Sequence, residues 1–77
     1  MVRNINVIAR EVLADWKKPS PYALPYIKAM LALQSVDDKY LFEDGRSVVL
    51  YFLSNAGSWR GATARRVKAE LNAALRA

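Results

Sequence analysis

The chain has no cysteine and no histidine among its 77 residues. Without cysteine there is no disulfide, no thiolate nucleophile and no Cys-ligated metal. Without histidine the commonest general base and the usual zinc ligand are missing as well. The three glycines, Gly45, Gly57 and Gly61, form neither of the phosphate-binding glycine loops, and no serine sits in a Gly-x-Ser-x-Gly elbow. Long apolar runs are also scarce. The longest, Val48 to Leu53, is far short of the roughly 18 residues of a membrane span. The amino-terminal stretch from Met1 to Arg10 lacks the apolar centre of a secretory leader. The reading that follows is a non-enzymatic protein without cofactor or metal, placed in the cytoplasm and not at a membrane.

What remains is one small domain. A chain of this length buries only about 60–65% of its unfolded surface, so its two Trp, four Tyr and two Phe matter for the core. The formal net charge is +5, and it is distributed unevenly. The last nineteen residues hold Arg60, Arg65, Arg66, Lys68 and Arg76 against the single acid Glu70. Residues 37–44 hold Asp37, Asp38, Glu43 and Asp44 against Lys39. A basic segment of this kind suits nucleic acid or an acidic partner, and it also suits a wet helix face that binds nothing. The acids do not follow the alternating spacing of a calcium loop and read as a solvated turn.

Periodicity places four helices. Ile5, Ile8, Ala9, Val12, Leu13 and Trp16 recur at spacings of three and four, which predicts a helix after an Asn4 cap and before Pro19. Pro19, Pro21 and Pro25 make a rigid elbow, with Pro25 in the first turn of a second helix that runs to Gln34 or Ser35. Residues 35–44 are expected to be a loop or short helical turn held to the core by Tyr40, Leu41 and Phe42. Asp44 is expected to cap a third helix through the N–H of Ser47. Val48 to Leu53 could equally form a buried strand on periodicity alone. Helix is chosen because no comparable strand exists to pair with it. A helix apolar on nearly every side is read as central, with Val49, Phe52 and Leu53 at the heart of the core.

The fourth helix is expected from Ser58 or Trp59 to Leu75, with Ala64, Val67, Leu71, Ala74 and Leu75 inward. The helical wheel puts Arg65, Arg66 and Arg76 on the outer side and Lys68 on its flank. It puts Arg60 on the apolar side, so either the helix starts later, near Thr63, or Arg60 is partly buried against Asp37, Asp38 or Asp44. The fold expected is therefore all-α, four helices around a buried third helix with an irregular segment at 35–44.

Two contact surfaces emerge. One is the outer face of the last helix: Arg65, Arg66, Lys68 and Arg76, led by Trp59 and Arg60, as a face for phosphates. The other is Trp59-Arg60-Gly61, whose residue types are enriched at interface hot spots, although a Trp in so small a domain also serves as a core anchor.

Four stretches carry a resemblance: Asp15-Trp16-Lys17-Lys18, Tyr26-Ile27-Lys28-Ala29-Met30, Val49 through Ala56, and Trp59-Arg60-Gly61 with Ala64-Arg65-Arg66-Val67-Lys68. Together they resemble a family of small uncharacterised proteins encoded by phages and mobile elements of Gram-positive bacteria. The resemblance implies a setting in phage or prophage biology in a bacterial cytoplasm. It implies no activity and no site residues. The function expected is binding through protein–protein contact, with nucleic-acid binding through the basic face as the alternative.

Overall fold

The computed structural model describes residues 3–76, so Met1 and Val2 of the stretch read for a leader lie outside it. The elements in order are α1 (Ile5–Asp15), α2 (Leu24–Met30), β1 (Lys39–Tyr40), β2 (Glu43–Asp44), α3 (Gly45–Ser54) and α4 (Ala62–Arg76). The protein is mostly helical, with four helices, but it is not purely all-α. β1 and β2 pair antiparallel, Lys39 opposite Asp44 and Tyr40 opposite Glu43. No helix among the described residues is long and apolar enough to cross a membrane.

The helix-period stripe of α1 buries Ile5, Ile8, Ala9 and Val12, with Trp16 just beyond its end. Leu13, expected inside, lies at the boundary and is 36% exposed. Asn4 occupies the cap position, but its side chain makes no cap hydrogen bond. The first-turn N–H groups of Ile5 and Asn6 donate instead to the carbonyls of Gln34 and Leu33, both at 2.9 Å. These carbonyls are free because α2 ends sooner than expected, at Met30. Ala32 and Leu33 close tighter turns onto Ala29 and Met30, and the Asp38 carboxylate then takes the N–H of Gln34 at 2.8 Å. Donors at the start of one helix are thus satisfied by the chain that leaves the next.

Asp44 caps α3 as expected, its carboxylate accepting from the N–H of Ser47 at 2.8 Å. Gly45 opens that helix pressed against the preceding loop. Its N–H donates to Asp38 at 2.7 Å, and a Cβ there would lie 2.8–3.0 Å from the carbonyl oxygens of Val36, Ser35 and Asp38. Only glycine fits this approach.

The third helix is not the hub. α1 packs on α2 and α4, and α3 packs on α2 and α4, so the four helices form a ring around a shared core. Each is one wall. Val48, Val49 and Phe52 of α3 face inward, Leu53 is half-buried, and Leu50 and Tyr51 face solvent. Ser47 and Ser54 lie between those two on the helical wheel, which explains the outward side: a helix cannot turn its serines to water without turning Leu50 and Tyr51 with them.

Candidate contact surfaces

Of the six residues singled out on the sequence, two belong to the interior scaffold. Trp59 is buried. Its ring stacks on Trp16 with centroids 5.8 Å apart and planes 12° from parallel, and it meets Phe52 edge-on at 6.4 Å. Its indole N–H donates to Asp15 at 2.8 Å, so the one polar atom of the ring is satisfied. Lys68 is turned inward at its tip. Its ammonium donates to the carbonyls of Ala56 and Trp59, both at 2.7 Å, and lies 5.9 Å from the Trp59 ring centroid. Burial, and secondarily the nearby Arg60, push its pKa below the ordinary lysine value. Lys68 therefore ties the α3–α4 connection to α4 and is not offered to a phosphate.

Arg66 is exposed but engaged. It pairs with Glu11 of α1, and Arg3 reaches the same carboxylate at 2.7 Å while also holding Glu70 of α4 at 2.7 Å. Hydrogen bonds from Arg66 and then Arg3 hold the Glu11 carboxyl below its usual range, and Arg3 does the same for Glu70. This network laces α1 to α4.

Arg60, Arg65 and Arg76 are exposed and pair with no carboxylate among the described residues. Of the two readings of Arg60, the late helix start is the correct one. Gly61 takes φ +113°, a left-handed conformation that breaks helical phase, and α4 begins at Ala62. The expected partners of Arg60 are occupied elsewhere. Asp37 pairs with Arg46 at 3.2 Å, Asp38 binds backbone, and Asp44 caps α3. The basic outer face is thus a scatter of three arginines that are unpaired among the described residues, not a continuous track.

The surface that sequence reasoning missed is the hairpin. Tyr40 is half-buried and packs on the core as expected, but Leu41 and Phe42 do not. They form the two-residue connection between β1 and β2, Phe42 fully exposed and Leu41 78% exposed. Leu41 adopts φ 58°, the only positive φ of a non-glycine residue in the described chain. Tight hairpin turns need such a conformation and ordinarily use Gly or Asn for it. The absence of those residues hid the turn from the sequence.

A shallow groove of about 310 Å³ lies beside this tip, lined by Pro25, Tyr26, Lys28, Ala29, Tyr40, Glu43 and Val48. Tyr26 is braced by Tyr51, their rings 5.5 Å apart. Lys28 and Glu43 line the groove and neither is ion-paired within the described residues. Aromatic walls, an exposed Phe and unpaired charges are features of a contact surface, and nothing in the groove assembles a nucleophile with a base. No family model, curated protein or solved structure matches the chain.

Proposed function

We propose that this chain is a small non-enzymatic binding protein that acts through protein–protein contact at the hairpin face. The observation that carries the reading is the pair Leu41–Phe42. Two large apolar side chains are held in solvent by a turn that costs backbone strain, where burial or a polar tip would be more stable. A strained, exposed apolar tip beside an aromatic groove is explained by a surface that covers it. The setting in phage or prophage biology in a bacterial cytoplasm is part of the same proposal and rests on the family resemblance.

The test is affinity capture from nuclease-treated bacterial lysate with the wild-type chain and with Phe42→Ser as baits. A protein retained by the first and lost with the second supports the reading. Equal retention by both baits would remove the hairpin from it.

The alternative, nucleic-acid binding through the basic face, is favoured by one observation. Trp16 stacks on Trp59, and exposed basic residues follow each ring in the chain, Lys17 and Lys18 after Trp16 and Arg60 after Trp59, with Arg65 in the first turn of α4. Binding of this kind falls steeply between about 50 and 200 mM salt. Retention of DNA or RNA with that salt dependence, lost in Arg60→Glu/Arg65→Glu with the fold intact, would favour it over the protein-contact reading.

A further inference from the structure

The hairpin face holds both halves of an interlocking contact. The Leu41–Phe42 tip is a knob. The residues that flank it in the hairpin, Tyr40 and Glu43, are also lining residues of the adjoining groove, so knob and socket lie on one side of the molecule. A groove of about 310 Å³ is large enough to admit a phenylalanine ring. The same socket carries one cation, Lys28, and one anion, Glu43, each without an ion-pair partner inside the described chain.

From this juxtaposition we propose that the occupant of the hairpin face is a second copy of the same chain, related by a two-fold axis, with Phe42 of each copy seated in the Pro25–Tyr26–Tyr40 groove of the other. The inference rests on the protein-contact reading and names its partner. In a two-fold contact every residue meets the reciprocal surface, so a patch must be complementary to itself. This face meets that condition twice. It has a projection and a cavity side by side, and it has Lys28 and Glu43, which can cross-pair as Lys28 to Glu43 of the other copy and Glu43 to Lys28. A foreign partner would require only one member of each pair.

Charge on the rest of the molecule points the same way. Two chains of net charge +5 repel, and association is easiest where local charge cancels. The groove carries Lys28 against Glu43, so its charge is balanced on a basic protein. A standard interface covers about 800 Å² on each partner, which is a substantial part of a total accessible surface of 4873 Å².

Sedimentation velocity across a concentration series, up to about 0.5 mM, tests the proposal, since a weak dimer with Kd on the order of micromolar is fully formed there. The wild-type chain should shift from monomer to dimer. Phe42→Asp should weaken association at least tenfold while circular dichroism stays unchanged, because the side chain touches nothing in the monomer. Lys28→Glu and Glu43→Lys should each weaken it, and the double exchange should restore most of the loss, an outcome that pairing of the groove with a foreign protein does not produce. A wild-type chain that remains monomeric throughout overturns the proposal, as does a dimer indifferent to Phe42. A monomer that nevertheless captures a different protein through Phe42 sinks the second copy and leaves the protein-contact reading standing. A monomer that captures nothing sinks both.

Discussion

The two ends of the ring of helices treat their large apolar side chains in opposite ways. Around Trp59, every demand is met inside the chain: the ring has Trp16 and Phe52 beside it, its N–H has Asp15, and the neighbouring carbonyl has Lys68. At the hairpin, Phe42 has no cover at all and Leu41 sits in a left-handed turn. Aromatic content alone would class both regions as hydrophobic. Satisfaction separates them: the first is finished by the fold, and the second is left incomplete by it.

The sharpest way to break that contrast is to delete from the finished end. Trp59→Ala should cost about 3–5 kcal/mol, the usual penalty for truncating a buried aromatic, and leave the Asp15 carboxylate without its donor. Urea unfolding followed by circular dichroism would read this as a large drop in the midpoint. A loss under about 1 kcal/mol would mean that the stack is peripheral. Gly45→Ala should follow, at about 1–3 kcal/mol. The added methyl meets three backbone carbonyls that cannot swing aside. The same urea titration measures it, and a neutral result would show that the 35–38 loop gives way.

The hairpin end should respond with the opposite sign. Leu41→Gly removes an exposed side chain from a positive-φ position, so thermal unfolding of the monomer should show stability unchanged or raised by about 0.5–1 kcal/mol. Destabilisation beyond 1 kcal/mol would mean that Leu41 packs against the fold. The smallest effect belongs to the ion pairs that lace α1 to α4. Glu11 and Glu70 have folded pKa values below their ordinary ones, held down by Arg66 and Arg3. Their contribution is therefore complete above the ordinary glutamate pKa of about 4.3 and is lost as pH falls through the depressed folded values. Both groups are partly wet, so Arg3→Ala should cost no more than about 1 kcal/mol at neutral pH, less in high salt, and still less near pH 3. Equal destabilisation at pH 7 and at pH 3 would contradict an ionic origin.

Much of the interior was legible in the residues. Ile5, Ile8, Ala9 and Val12 announce a helix face, and Asp44 three residues before Ser47 announces a cap. Val48 to Leu53 is helical as argued, but six consecutive apolar residues do not reveal which ones face out. Ser47 and Ser54 carried that signal. The hairpin was illegible because its turn uses Leu and Phe where tight turns use Gly or Asn. The role of Lys68 was hidden for a different reason. Its acceptors are main-chain carbonyls, which no side-chain pattern announces, and so a cation on a basic helix was counted with a face to which its tip does not belong. Arg66 and Arg76 share that helix, and among the described residues only Arg66 has a carboxylate of α1 within reach.

The closure of α1 against α4 sets an order of assembly. Arg3 reaches across 67 positions to Glu70, and Trp16 waits for Trp59. During synthesis the first sixty residues emerge with one side of the ring open, and the part of the core that α4 covers stays wet until that helix arrives. Such a chain gains its stability late and all at once, so nascent or truncated forms are expected to be the sticky, protease-sensitive ones.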